Sequence, residues 1–185
     1  MKEILFKNIS VPTYIVEDKV SQLDINYFIK KINENIITNK NNNYKTNVLA
    51  KMTEWSYFIQ DPHFLNFLEK INKTIVKVYI AHITKVYPNL KNTNMELQIK
   101  EAWGVKYNFN DSCSLHDHRN CEMSGVLYLS KNKSGINFPE YNLEILPEPG
   151  KFILFSPILQ HEVLPLLEKK PRYCIAFNFY ISSFK

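Results

Sequence analysis

His116-Asp117-His118 sets two imidazoles two residues apart in a polar segment flanked by strand-like runs, and His161 and Arg172 follow downstream. If the first segment is extended, residues 116 and 118 project to one side and Asp117 to the other, so both rings can reach one metal ion. His161, from a distant strand, supplies a third nitrogen. Three ligands on one face leave positions open for substrate and dioxygen, as at non-haem iron sites. An isolated pair of this kind is more often a pair of surface or packing histidines, but here three of the chain's five histidines fall in the pattern. Arg172 stands out by rarity, since Arg119 and Arg172 are the two arginines among 23 lysines and arginines. A chain this rich in lysine uses lysine wherever plain charge suffices. A guanidinium adds a planar fork that grips a carboxylate through two parallel hydrogen bonds. The combination describes an open metal centre with a clamp for an acidic co-substrate, which makes an enzyme the first hypothesis.

Other ligand sets are open on residue type alone. Cys113, His116, His118 and Cys121 have zinc-like spacing. In a strand, however, positions 113 and 121 have the opposite parity to 116 and 118, so only a looped backbone gathers all four. Asp117 or Glu122 supplies a carboxylate ligand if the local backbone is irregular. His82 lies on the apolar stripe of a helix and reads as a packed core residue.

The elements that must position these groups divide at about residue 95. Short extended pieces, ILF and TYIV, open the chain on either side of Pro12. Ile25, Phe28, Ile32 and Ile36 then recur at helical spacing, predicting a helix over 22–38 with Ser21 as N-cap and Asp24 in the first turn. After a polar, asparagine-rich loop at 38–47, Asp61 and Pro62 start a second helix. Its stripe of Phe64, Leu68, Ile71, Ile75, Val78, His82 and Val86 runs to Pro88. Beyond Asn94 strand-like runs take over, at 97–109, 124–130, 142–146, 151–155, 161–166 and 172–182. All four glycines fall in this half, where turns and close backbone approaches are needed. Helices followed by many short strands argue for an α+β fold in which the helices cover one face of a β-sandwich or jelly roll.

The 185 residues, 45% of them hydrophobic, can bury one sizeable core and predict one domain over 1–185. The opening MKEILFKN carries charge where a signal peptide needs an apolar run, and no segment has the length and apolarity of a membrane span. Three cysteines without a CxxC pair argue against a disulfide framework and for a reducing, cytoplasmic setting. The net charge of +5 is spread among acids and asparagines rather than clustered, which disfavours nucleic acid as a partner.

Four motifs in order carry a resemblance: Trp103…His116-x-His118, SGVLYL at 124–129, PGKFILFSPILQHEVLP at 149–165 and PRYCIAFNF at 171–179. Over about 103–180 the sequence resembles the iron(II)/2-oxoglutarate-dependent oxygenases, in particular their compact bacterial and phage members. The resemblance implies a double-stranded β-helix (jelly roll), with 1–95 as helical support and leading strands and 96–185 as the core holding the metal site. It implies Fe(II) and 2-oxoglutarate as cofactors, dioxygen as co-substrate, and oxidative decarboxylation of 2-oxoglutarate coupled to oxidation of a substrate C–H bond, with hydroxylation the default. His116 and His161 become metal ligands, and Arg172 the partner of the distal carboxylate with Tyr128 beside it; same-side geometry makes His118 the third metal ligand.

The wider family has Asp or Glu two residues after the first histidine, where this chain has His118. Chloride-transferring relatives have no side-chain ligand there, which disfavours halogenation. Trp103, Tyr107 and Asn108, on the strand leading to the metal motif, are candidates for lining the substrate pocket. Asn110 sits in a tight turn and suits a positive φ. Two rival readings are a three-histidine, cupin-like dioxygenase that needs no 2-oxoglutarate, and a non-catalytic jelly-roll binding or structural module. The primary substrate is not written in these residues.

Overall fold

The computed structural model describes residues 2–5, 13–38, 46–83 and 95–184. Strands β1 (Lys2–Leu5) and β2 (Tyr14–Lys19) precede helix α1 (Ile25–Thr38). The helix starts three residues later than the sequence predicts, because the cap is Asp24 rather than Ser21: the Asp24 carboxylate accepts the Tyr27 N–H at 2.9 Å. Two short strands, β3 (Val48–Leu49) and β4 (Lys51–Met52), come before helix α2 (Pro62–Val78). Here the predicted start holds. Asp61 accepts the His63 and Phe64 N–H groups, and Pro62 occupies the first turn, where no N–H is needed. A π-helical turn over Tyr79–Ile83 continues α2, and the expected stop at Pro88 lies outside the described residues.

The second half forms β5 (Met95–Tyr107), β6 (Ser112–His116), β7 (Met123–Tyr128), β8 (Ile136–Phe138), β9 (Leu143–Ile145), β10 (Lys151–Phe155), β11 (His161–Val163) and β12 (Arg172–Phe184). Of these, β6 and β8 have no counterpart in the sequence reading, and β11 ends at Val163 rather than 166. The strands make a seven-stranded sheet, β1-β2-β10-β7-β12-β5-β4, and a five-stranded sheet, β3-β6-β11-β8-β9.

Alternation along the strands assigns each face of the larger sheet to a different core. Tyr14, Val16, Ala102, Leu127, Phe152, Leu154, Ile175 and Phe177 pack with Phe28 and Ile32 of α1 and with Phe64, Phe67 and Ile71 of α2. Their neighbours of opposite parity, Ile15, Trp103, Val105, Val126, Ile153, Phe155 and Cys174, pack with Cys113, Ile136, Phe138, Ile145 and Val163 of the smaller sheet. The molecule is therefore layered as helices, large sheet and small sheet, and the helices cover one face as the sequence predicts. Gly104 lets α1 approach: a Cβ there would stand 2.3 Å from Ile32 Cγ1. His82 is 3% exposed and its ring lies 4.8 Å from that of Tyr14, in keeping with a packed histidine.

Candidate metal centre and its adjoining cavities

His161 and His116 are direct partners in the antiparallel pairing of β11 with β6, and the register slips before Val163 meets Cys113. Strand β6 ends at His116, so His118 is not held by a ladder. Instead its N–H donates to the Pro157 carbonyl at 2.8 Å, in the connection between β10 and β11. The ring centroids lie 4.3 Å apart for His116–His161, 4.9 Å for His116–His118 and 5.1 Å for His118–His161. One ligand nitrogen from each falls within 4.8 Å of the others, and among the described residues no other such group of histidine, cysteine or carboxylate side chains occurs.

The rings are oriented from behind. His116 Nδ1 lies 2.8 Å from the Ser114 carbonyl and His161 Nδ1 2.9 Å from the Leu159 carbonyl. With Nδ1 as the donor, each ring turns an unprotonated Nε2 to the centre, the arrangement that fixes metal-ligating histidines. Burial drives all three pKa values down. His161 is depressed to about 3, by burial first and then by His116, and His118 to about 4 for the same two reasons. His116 is also lowered, chiefly by burial. Neutral imidazoles are the form a metal takes.

The alternative ligands do not join. Asp117 accepts the Arg119 Nε–H at 2.9 Å, and Glu122 lines neither cavity described below. The Cys113 thiol meets the Nδ1 side of His116, at 3.7 Å, and Cys121 lies against Ser124 Oγ at 3.4 Å.

Behind the triad an inner cavity of about 50 Å³ is bounded by His116, His118 and His161 on one side and by Tyr107, Arg172, Cys174 and Ala176 on the other. Arg172, 2% exposed, donates from Nη1 to the carbonyls of Gly135 at 3.0 Å and Ser134 at 3.3 Å. Its guanidinium lies 4.8 Å from the centre of the Tyr107 ring and 5.7 Å from that of Tyr128. Its Nε–H has no partner, and no carboxylate pairs with it among the described residues. A buried guanidinium with no anion is costly, and the space beside it is where an anion would repay the cost. The Tyr128 hydroxyl is likewise buried without a partner, although Tyr128 is not part of the cavity wall.

An outer pocket of about 180 Å³ opens on the other side of His116 and His118. Trp103 lines both spaces, as expected of a pocket residue, whereas Tyr107 lies deeper, against Arg172. Asn108 lines neither. Its main-chain and side-chain N–H groups both bind Asp111 Oδ2 and close a turn, which corrects its assignment to the pocket. Asn110, in the same turn, has φ of 66° as anticipated.

Trp55, Glu101, Asn178 and Tyr180 are among the wall residues that the sequence does not single out. Glu101 stands two residues before Trp103 on β5, so strand parity alone places it on the cavity face. Asn178 is the penultimate residue of the last of the four motifs. Trp55 and Tyr180 carry no such local signal.

No protein-family model matches the sequence, and no curated protein sequence matches it. Solved structures do match in shape. A viral collagen prolyl hydroxylase from Paramecium bursaria Chlorella virus-1, in complex with 2-oxoglutarate, aligns with 89% of this chain and 94% of its own at a TM-score of 0.60 and 14% identity. A Pseudomonas putida prolyl-4-hydroxylase aligns with 91% of this chain and 93% of its own at a TM-score of 0.65 and 16% identity. HygX from Streptomyces hygroscopicus, with nickel and 2-oxoglutarate bound, aligns with 92% of this chain and 82% of its own at a TM-score of 0.59 and 13% identity. At these identities the likeness is one of fold.

Proposed function

We propose that the chain is a non-haem iron(II)/2-oxoglutarate-dependent dioxygenase of the double-stranded β-helix type, which hydroxylates a C–H bond of its substrate. One observation carries the reading: a buried guanidinium without a carboxylate partner shares a small cavity with three neutral imidazoles. A histidine triad alone fits many metal sites, and a buried arginine alone fits many cores. The two together fit a metal whose second ligand is a dicarboxylate. The fold shared with a 2-oxoglutarate complex and with a nickel and 2-oxoglutarate complex supports the same assignment.

The donor set suits the groups it would hold. His116, His118 and His161 would ligate the metal as neutral nitrogen donors, a set suited to divalent iron. Relative to a site with one carboxylate ligand, three imidazoles leave it one unit more positive, which favours anionic co-ligands. Arg172 would grip the far carboxylate of 2-oxoglutarate, with the Tyr128 hydroxyl as a further donor and the Tyr107 ring steadying the guanidinium. A five-carbon diacid exceeds the present void, which holds one or two waters. Admitting it displaces part of the lining, and Cys174 and Ala176 are small side chains that leave little to displace. When bound, iron and 2-oxoglutarate would supply, with dioxygen as the oxidant, an oxidative decarboxylation that puts one oxygen atom into succinate, releases carbon dioxide and puts the other oxygen atom into the substrate C–H bond. Three buried, unpaired thiols support a reducing, cytoplasmic setting. Anaerobic addition of ferrous iron and 2-oxoglutarate is expected to give a visible charge-transfer band, and admission of air to give succinate. Absence of both sinks the proposal.

A further inference from the structure

The outer pocket has a chemistry of its own. Along the paired strands β5 and β12, Arg172 faces Tyr107, Ala176 faces Trp103 and Asn178 faces Glu101. Six residue steps of strand lead from Arg172 to Asn178, so the Cα atoms of the two stand roughly 20 Å apart, with Glu101 opposite Asn178.

Glu101 is held in place. Its Oε2 accepts from Asn178 Nδ2 at 2.7 Å and from the Tyr180 hydroxyl at 2.8 Å, and Asn178 in turn accepts from Ser124 Oγ at 2.9 Å. Both bonds fall on one oxygen, and among the described residues no lysine or arginine pairs with the carboxylate. Asp117, the other acid at this pocket, is already met by Arg119 at 2.9 Å. Trp55 and Trp103 meet edge to face at 4.6 Å and, with Tyr180, give the pocket aromatic walls. Trp103, which forms part of this wall, is 3% exposed.

A fixed carboxylate among aromatic faces recognises an organic cation, by charge pairing at one end and cation–π contact along the sides. We infer that the outer pocket selects an ammonium-bearing substrate, anchored by Glu101 between Trp55, Trp103 and Tyr180. This names the substrate class of the proposed oxygenase and rests on that reading for its catalytic meaning. The ammonium group could belong to a free amine or to a lysine side chain of a peptide, and both present the same chemistry.

Because Trp55 and Trp103 are the chain's two tryptophans and both line the pocket, intrinsic fluorescence reads it directly. Titration of the wild-type protein with n-hexylamine, n-hexanol and hexanoate is expected to show the amine binding roughly 10- to 100-fold more tightly than the alcohol, with hexanoate weakest. Glu101→Gln keeps an acceptor for Asn178 and Tyr180 and is expected to erase the difference between amine and alcohol while leaving alcohol binding unchanged. Equal affinities for amine and alcohol in the wild type, or a preference that survives Glu101→Gln, overturn the inference. The wild-type comparison decides alone if the variant does not fold. A lysine-containing hexapeptide titrated against 1,5-diaminopentane then identifies the source: tighter peptide binding supports the inference with a protein substrate, tighter diamine binding with a small-molecule one. Loss of the amine preference alongside an intact iron and 2-oxoglutarate absorption band overturns this inference alone. An amine preference without that band overturns the oxygenase reading alone.

Discussion

His116 and His161 face one another across an antiparallel strand pair, and each turns Nδ1 towards the carbonyl two residues before it, Ser114 in one case and Leu159 in the other. With Nδ1 taken up in this way, the shared main-chain device leaves the two Nε2 atoms free to face the centre of the triad. His118, outside the ladder, completes the group through a main-chain bond to Pro157.

The triad is open to a direct test in which His118 decides most. His118→Ala is expected to weaken ferrous or cobaltous binding by at least about tenfold, on the scale that even supporting residues of a metal site command. His118→Asp should restore binding with an altered cobalt absorption spectrum. Metal affinity unchanged in His118→Ala removes this residue from the ligand set.

Arg172 supplies a prediction with two signs. Arg172→Met replaces a buried, anion-free charge by an apolar side chain of similar length, so the ligand-free protein should be as stable or more stable. Saturating 2-oxoglutarate with metal should raise the melting temperature of the wild type and leave that of the variant where it was. Arg172→Ala should likewise abolish 2-oxoglutarate binding with iron binding retained, which a cupin-like dioxygenase or a binding module would not show. A variant that still responds to 2-oxoglutarate contradicts the assigned role.

Acid should destabilise the metal-free protein over a defined range. His161 and His118 have folded pKa values of about 3 and about 4, both below the ordinary 6.5, because burial opposes their charging. The unfolded chain therefore binds protons that the folded chain refuses. Stability from this source is complete above about pH 6.5 and falls by up to about 1.4 kcal/mol per pH unit for each group as pH drops towards the folded values. Urea midpoints of metal-free protein between pH 7 and 4 measure the slope, and His161→Asn should make it shallower. Equal slopes in the two proteins count against the buried neutral state of His161.

Asn110 has φ of 66°, and its N–H donates to the Leu166 carbonyl at 2.9 Å. Asn110→Gly should be neutral or slightly stabilising, whereas Asn110→Ala should cost roughly 1 kcal/mol, the penalty for a side chain in left-handed backbone. Denaturant melts of the two variants separate the backbone effect from loss of the side chain.

Much of this arrangement was legible in the sequence because local chemistry encodes it. Asp61-Pro62 marks a helix start by satisfying and omitting N–H groups, and the helical stripe that follows shares Phe64, Ile71, Ile75 and Val78 with the face α2 buries, although it omits buried Phe67 and its last residue, Val86, lies outside the described residues. The three histidines and Arg172 are marked by residue type, spacing and rarity, and the fold brings all four to one cavity. What stayed hidden depends on tertiary pairing. Three- to five-residue strands such as β6 and β8 have no period long enough to read, yet β6 delivers His116 to His161. Ser21 looked like a cap and Asp24 was the cap, since both residue types serve and only backbone direction chooses between them. Asn108 sits one residue past the end of β5, where alternation no longer says which way a side chain points. Glu101 was within reach of parity, but a lone acid on a strand has no motif to mark it.

The imidazoles His116 and His161 belong to the smaller sheet and Arg172 to the larger, so the span between metal position and guanidinium is set by the packed layer that holds the two sheets apart. If Arg172 grips a metal-bound dicarboxylate as proposed, that layer works as a caliper: Phe155, Phe138 and Val105 would gauge the length of dicarboxylate that reaches both jaws. Thinning it with a smaller side chain, or thickening it with a larger one, should retune the choice among three-, four-, five- and six-carbon diacids while every coordinating atom stays chemically the same.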